Sequence, residues 1–302
     1  DDIAIRARVT VSGSDITVDL TGSDAQVDSF LNSSEANTRS AVLVGIAVLL
    51  DPHIPKNQGV ARPLTILTRP GTIVHPHPGA PVTMCTSHCG NEIIEAVVVA
   101  LSGACPERAM GGWGRRLRIA IKGENPATGR PFIWHMFHAR PGAGGSSGGD
   151  GWHNGGEWHS AGGLKFGSVE VAETRFPLFF PAHEFRADSG GRGQYAGGVG
   201  CDLRMVVETD KQAVANVAGD GIRHGARGML GGEDGKPHHY RLEAPGMPPR
   251  DLDSKMEGLP VPAGSAFDIH SGGGGGWGAS GDRDPDAIAR DIADGFVSRG
   301  RY

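Results

Sequence analysis

The stretch HARPGAGGSSGGDGWHNGGEWHSAGG (residues 138–163) decides how the fold is interpreted. It combines a glycine tract with side chains that can bind a metal or move a proton: His138, Asp150, His153, Glu157 and His159. The chain holds 49 glycines and 20 prolines among 302 residues. The glycines lie between well-patterned apolar segments and follow no fixed repeat. We therefore predict a folded protein with tight turns and close backbone approaches, not a low-complexity chain.

The segments around this tract predict many strands and few helices. Alternating apolar residues around short turns predict hairpins at 3–20 and 117–139, and strand-like runs over 170–180, 201–209 and 213–219. Helices are predicted at 34–50, at 91–102 and, between Asp284-Pro285 and Gly295, at 285–294. The elements follow no βαβ order. The sequence therefore predicts a β-rich α+β fold with mixed or antiparallel sheets, a few helices and many Gly/Pro turns.

We predict two domains from this pattern. Residues 1–188 form an α+β domain that contains the Gly-rich loop 141–163, and residues 189–302 form a β-rich domain with the C-terminal helix 285–294. The length is enough for one large domain or for two modest ones, each with its own core.

Composition excludes several classes of partner. The net charge is −5 with no basic block, so no nucleic acid is expected. The longest apolar run, AVLVGIAVLL (41–50), is too short to span a bilayer, so no membrane association is expected. The first residues resemble no signal peptide, and four cysteines are too few for a disulfide framework. We therefore expect a cytoplasmic protein.

Two short motifs have simple structural interpretations. Residues 142–163 contain neither nucleotide-binding glycine pattern, and although GGSSG (144–148) fits G-x-S-x-G, no helix follows it as a nucleophile elbow requires. Cys85, His88 and Cys89 resemble half of a zinc site, but no second cysteine pair accompanies them. We interpret this motif as a turn that leads into the second helix.

The polar residues of the glycine tract support two interpretations. Imidazoles and carboxylates are ligands for Zn, Mn or Fe and also act as general acids and bases, which makes this tract a candidate active site. The alternative is a solvated loop that is polar only because loops are polar. Trp152 and Trp158 argue against a flexible linker, because indole rings favour burial.

Several longer motifs, taken in order, resemble the C-terminal half of hydantoinase B-type subunits. This family includes N-methylhydantoinase, oxoprolinase, caprolactamase and the acetone and acetophenone carboxylases. The motifs are VTVSGSDITVDLTGSDAQV (9–27), IPKNQGVARPLTI (54–66), GTIVHPHPGAPV (71–82), ETRFPLFF (173–180), RADSGGRGQYAGGVG (186–200) and GGGGGWGASGDRDPDAIARDIADGFVS (272–298).

The resemblance implies a division of labour within a hetero-oligomer. A hydantoinase A-type partner is expected to bind ATP and Mg and to activate a carbonyl oxygen of a small-molecule substrate. The N-terminal half of the B-type subunit, which this chain does not include, is expected to hold a divalent metal, Mn or Zn. We expect Asp150, His153, Glu157, His159 and His138 to be catalytic and Asn57, Arg62 and Trp152 to bind substrate, with no metal ligand in this chain.

The resemblance leaves three functions open. The first is ATP-dependent hydrolysis of a cyclic amide such as a hydantoin or lactam. The second is ATP-dependent carboxylation of a ketone. The third is a non-catalytic scaffold that positions a partner.

Overall fold

The computed structural model describes residues 2–160 and 166–302, and the chain divides into two compact units, Asp1–Met110 and Gly111–Tyr302. The predicted boundary between residues 188 and 189 falls inside the second unit. Strand β6 (Leu178–Arg186) and strand β7 (Gly200–Val207) pair across it as an antiparallel hairpin. A boundary there would separate two hydrogen-bonded strands. Residues 161–163 of the predicted loop lie outside the described residues.

A three-stranded sheet forms one layer of the first unit. Strands β1 (Arg8–Ser12) and β2 (Asp15–Asp19) make the predicted hairpin, with Gly13 at φ +60° in its turn. Strand β3 (Leu64–Leu67) pairs with β2 in parallel. The sheet is therefore mixed, as the sequence predicts.

Helices complete the first unit, and their ends follow from local chemistry. Helix α1 (Glu35–Leu49) begins after Ser34, whose side chain accepts a hydrogen bond from the Asn37 backbone N–H. Helix α3 (Cys89–Leu101) lies against α1, and a Cβ at Gly45 would stand 3.0 Å from the Val97 Cβ. Only glycine allows the two helices to approach this closely. A single turn, α2 (Gln58–Ala61), lies between β2 and β3 in sequence order.

Two antiparallel sheets build most of the second unit. One runs in the order β10-β9-β12-β7-β6 and the other in the order β11-β8-β4-β5. The strands not yet introduced are β4 (Ile119–Asn125), β5 (Arg130–His135), β8 (Ala213–Ala218), β9 (His239–Glu243), β10 (Arg250–Asp251), β11 (Lys255–Val261) and β12 (Ala266–His270).

The core of the second unit lies between these sheets. Side chains from both sheets belong to one buried cluster, in which Trp134 of β5 contacts Phe180 of β6 with ring centroids 6.0 Å apart. The predicted α+β class is confirmed. None of the helices in the described residues is long and apolar enough to cross a membrane.

Two helices flank the second unit, and one of them corrects a prediction. Residues 170–175, predicted as strand-like, lie within helix α4 (Val169–Arg175). Ser168 caps this helix by accepting from the Val171 N–H, and such a cap outweighs the β-type alternation. Helix α5 (Pro285–Ala293) starts at the Asp284 cap and ends before Gly295 at φ +79°, which confirms the predicted terminal helix.

Glycine-rich segments of the second unit pack against one another through backbone contacts. In the central segment 272–276, successive backbone N–H groups donate to different neighbours: Gly274 to Gly198, Gly275 to Gly112 and Gly276 to Glu233. Positions three residues apart share a neighbour, because Gly142 donates to the carbonyl of Gly272 and Gly145 to that of Gly275. A period of three residues is the repeat of a polyproline II-type helix.

This glycine bundle leaves no room for side chains at its contacts. A Cβ at Gly274 would lie 1.9 Å from the Ala143 carbonyl oxygen, and one at Gly142 would lie 1.8 Å from that of Gly198. The predicted close backbone approaches are confirmed. They concern segments that are distant in sequence and account for much of the glycine content.

Candidate functional site

Asp150 lies at a corner of the glycine tract and is held by an arginine from the far end of the chain. Its two carboxylate oxygens accept from the Arg283 guanidinium at 2.7 and 2.8 Å, and Oδ1 also accepts from the Ala196 N–H. Only 1% of the Arg283 side chain is exposed, and it also donates to Asp291 at 2.6 Å. Hydrogen bonding to Asp150 raises the pKa of Arg283. This geometry makes Asp150 an anchor for the tract.

His153 follows Asp150 and presents one ring nitrogen. Its Nδ1 accepts from the Val199 N–H at 3.0 Å, so the proton of the neutral ring lies on Nε2. The ring packs against Phe296 with centroids 3.9 Å apart. Burial lowers the pKa of His153, against the opposing effect of Asp291 and Asp150. At neutral pH the ring is therefore an uncharged hydrogen-bond donor through Nε2.

Asp150 and His153 line the same small pocket of the second unit. Arg283, Phe296 and Tyr302 complete much of its wall. Burial raises the pKa of Tyr302, so its hydroxyl stays protonated. Titratable groups with shifted pKa values in a concave site are features of functional sites, and this pocket is the candidate site of the described residues.

Glu157 is not in this pocket, because it is fully buried with two arginines. Its Oε1 lies 2.8 Å from Arg140 Nη1 and 3.4 Å from Arg116 Nη1, and its side chain has no exposed area. The two buried ion pairs of Glu157 hold this part of the tract in place. Glu157 is not among the residues that line the Asp150–His153 pocket, and its catalytic role remains a prediction.

The two tryptophans of the tract differ in their exposure to solvent, and His159 lies beside the buried one in sequence. His159 is exposed on a short 3₁₀ turn, Trp158–Ser160. Trp158 is 2% exposed and stacks on Trp113 with ring centroids 5.6 Å apart, whereas Trp152 is 65% exposed. Trp158 therefore anchors the tract, and Trp152 is available to a ligand or a partner.

His138 is buried at the start of the tract, apart from the pocket. Its ring stacks on Trp134 with centroids 5.8 Å apart and contacts Phe180 and His183. Burial lowers the pKa of His138. Its surroundings are those of a neutral core histidine.

The predicted substrate-binding residues Asn57 and Arg62 belong to the first unit. Asn57 caps helix α2 by accepting from the Gly59 N–H at 2.8 Å, and Arg62 is exposed at the other end of that helix. The assignment of substrate binding to these two residues and to Trp152 remains a prediction.

Metal-type ligands do not converge in the part of the chain that the structure describes. No group of three or more His, Cys, Asp or Glu side chains there could hold a metal ion. The Cys85–Cys89 segment is a turn that enters α3 at Cys89, as interpreted from the sequence. The tract therefore distributes its polar residues over different surroundings.

Three arginines hold the carboxylates of the tract and were not singled out from the sequence. Arg283 holds Asp150 from 133 residues away, and Arg140 and Arg116 hold Glu157 from 17 and 41 residues away. No local sequence pattern specifies these pairings.

Similarity to known proteins places the chain in a family. It belongs to the hydantoinase B/oxoprolinase family, whose model matches residues 1–280. The chain is 31% identical over 237 residues to caprolactamase subunit beta of Pseudomonas jessenii, covering 77% of this chain and 40% of that protein. It is 28% identical over 226 residues to 5-oxoprolinase of Saccharomyces cerevisiae, covering 71% of this chain and 17% of that protein.

Solved structures share the fold over nearly the whole chain. The crystal structure of ATP-dependent caprolactamase from Pseudomonas jessenii matches with a TM-score of 0.86 at 28% identity, covering 98% of this chain and 52% of that one. A nucleotide-free acetone carboxylase structure matches with a TM-score of 0.83 at 20% identity, over 98% and 44%, which shows the fold alone. The chain spans half or less of the length of the curated relatives it matches.

Proposed function

We propose that this chain forms the C-terminal half of the B-type subunit of an ATP-dependent cyclic-amide hydrolase. Family membership over residues 1–280 carries the proposal. The similarity to caprolactamase subunit beta, and to the ATP-dependent caprolactamase structure over 98% of the chain, supports a lactam or hydantoin as the substrate.

In this proposal the chemistry is divided among three polypeptide parts. A hydantoinase A-type partner binds ATP and Mg and activates the amide carbonyl. The N-terminal half of the B-type subunit would hold the divalent metal, Mn or Zn, as the resemblance to the family implies. We place the complex in the cytoplasm, where the four free thiols would remain reduced.

Within this chain, the proposed contribution comes from the Asp150–His153 pocket. The Nε2–H of His153 would donate a hydrogen bond to a carbonyl or alkoxide oxygen, a role that suits a neutral imidazole. Asp150, Arg283 and Glu157 would position the tract that carries His153. Trp152 would supply an exposed aromatic surface beside it.

Reconstitution tests the proposal. The chain is co-expressed with an A-type subunit and the B-type N-terminal half, and hydantoin, 5-oxoproline and caprolactam are supplied with ATP. We expect the ring-opened product, an amino acid from 5-oxoproline or caprolactam and an N-carbamoyl amino acid from hydantoin, to form together with ADP and phosphate. Absence of ATP-dependent ring opening for every cyclic amide would argue against hydrolysis.

The same assay distinguishes the two alternative functions. Ketone carboxylation would transfer label from bicarbonate into the product. A scaffold function is tested by His153→Ala, with His53→Ala as an exposed control. Loss of a catalytic group costs about 10²–10⁴ in rate, whereas a scaffold would stay within a few-fold of the wild type.

A further inference from the structure

The segment 295–302, which follows helix α5, forms part of the wall of the candidate pocket. The Phe296 ring packs on the His153 ring with centroids 3.9 Å apart, and both residues line the pocket. Tyr302 lines the pocket as well, and its ring centroid lies 5.9 Å from the Arg283 Cζ. One short segment therefore supplies the wall on both the histidine side and the arginine side.

With the segment in this position, the pocket is too small to enclose an organic ring. Its cavity volume is about 40 Å³. A water molecule needs roughly 10–15 Å³ of such a cavity, and a cavity that binds benzene has roughly 150 Å³. The pocket therefore has room for a few water molecules only. A ring-shaped ligand can reach the His153 side chain in this pocket only if part of the wall moves.

Several hydrogen bonds that hold the segment in place meet at Asp188. The Asp188 backbone N–H donates to the Phe296 carbonyl oxygen at 2.9 Å, and its Oδ1 accepts from the Ser298 N–H at 2.9 Å. The Arg301 guanidinium donates to the Asp188 carbonyl oxygen and, at 2.8 Å, to that of Gly190. Asp188 has φ +60°, in the left-handed region that few residues other than glycine adopt. One residue of unusual backbone conformation thus binds the segment at three points.

The same segment has two places at which its backbone can turn. Gly295 and Gly300 have φ +79° and +87°, and a Cβ at either position would meet no atom within 4 Å. Residues 295–302 form no helix or strand, and the Asp188 and Arg301 side chains are about one-fifth exposed. Segments held by a few partly exposed contacts open locally at a lower free energy than the core unfolds.

We propose that the segment 295–302 is a hinged strap that closes the Asp150–His153 pocket and is held shut by Asp188. Opening of the strap would withdraw Phe296 from the His153 ring and admit a ligand. That this ligand is a cyclic amide rests on the proposed function, whereas the opening is a property of this chain alone. An experiment on the isolated chain therefore tests the strap, and the reconstituted reaction tests the function.

Diethyl pyrocarbonate, which acylates accessible neutral imidazoles, measures the opening on the full chain. Peptide mass spectrometry follows the rate at His153 in the wild type, in Arg301→Gln and in the matched control Arg299→Gln, an exposed arginine of the same segment, with the exposed His53 as internal standard. We expect about 10-fold faster modification in Arg301→Gln, because charged hydrogen bonds that hold the strap are lost, and no change in the control. Equal rates in the wild type and Arg301→Gln would overturn the proposal.

Amide hydrogen exchange of the wild-type chain, followed by NMR, tests the strap without any variant. The amides of Asp188 and Ser298 donate between the strap and its holding residue, whereas the amide of Gly274 donates within the glycine bundle. We expect the first two amides to exchange at least about 100-fold faster than the third, because opening the strap requires less free energy than unfolding the second unit. Protection of Asp188 and Ser298 equal to that of Gly274 would overturn the proposal.

Discussion

Asp150 and Arg283 are 133 residues apart in sequence and form a two-pronged ion pair that joins the glycine tract to the start of helix α5. The guanidinium is almost completely buried, whereas 40% of the carboxylate side chain is exposed. Removal of Arg283 would leave an exposed carboxylate that water can solvate. Removal of Asp150 would leave a buried guanidinium that has lost a partner, which costs more stability.

Removal of the carboxylate should destabilise the second unit. We expect Asp150→Asn to lower the free energy of unfolding by about 1–3 kcal/mol, between the values typical of exposed and of buried pairs. Arg290→Gln is the control, because its contact with Asp284 is long and exposed. Urea denaturation measures both. Equal stability of Asp150→Asn and the control would mean that Asp150 is not an anchor.

Alanine should be tolerated at a glycine of the tract and excluded at a glycine of the segment 272–276. Gly274→Ala would place a Cβ 1.9 Å from the Ala143 carbonyl oxygen, so we expect little folded protein. At Gly148 the nearest atom is the Ser146 hydroxyl oxygen at 3.6 Å, so Gly148→Ala should fold normally. Soluble yield and melting temperature distinguish the two. Normal folding of Gly274→Ala would contradict the glycine bundle.

The two tryptophans of the tract should respond in opposite ways. Trp158→Ala removes a buried ring from its stack on Trp113 and should cost about 3–5 kcal/mol of stability. Trp152→Ala should change stability by less than about 0.5 kcal/mol, because most of this ring is exposed. If Trp152 binds substrate, its removal raises KM in the reconstituted complex. An unchanged KM would assign the ring to another role.

Acid should destabilise the chain through a buried histidine. His238 accepts from the Gly272 N–H at Nδ1, and its Nε2 lies 2.8 Å from the Arg115 carbonyl oxygen, so its ring is neutral. Burial lowers the pKa of His238 to about 4. In the unfolded state His238 has a pKa near 6.5 and binds the proton more tightly than in the folded state. Its contribution to stability is therefore fully present above about pH 6.5 and decreases as the pH falls toward 4.

The loss from His238 should approach roughly 3 kcal/mol at the acid end of this range. Urea denaturation at pH 7.5 and pH 4.5 measures it, and His238→Gln should show a smaller difference between the two pH values than the wild type. The exposed His53→Gln serves as the control and should keep the wild-type dependence. A wild-type dependence in His238→Gln would assign the acid sensitivity to other groups.

Local elements of the fold could be predicted, but contacts between distant segments could not. Asp284, Pro285 and Gly295 define α5 because a cap, a first-turn proline and a terminal glycine act within one helix. Helix α4 was missed because its cap at Ser168 precedes a run that also alternates like a strand. The position of Asp150 in the tract was visible in the sequence, but its pairing with Arg283 was not, because no local pattern specifies a contact across 133 residues.

The glycine bundle is held by backbone hydrogen bonds but would not give the circular dichroism signal of helices or strands. Its segments 142–145 and 272–276 contain no α-helix or β-strand residues, so far-ultraviolet circular dichroism would count them as irregular. Yet the amides of Gly142, Gly145 and Gly274 donate hydrogen bonds of 2.9 Å to backbone carbonyls inside the bundle. Hydrogen exchange should therefore detect slow amides where dichroism reports coil, and melting followed by dichroism alone would overlook the bundle.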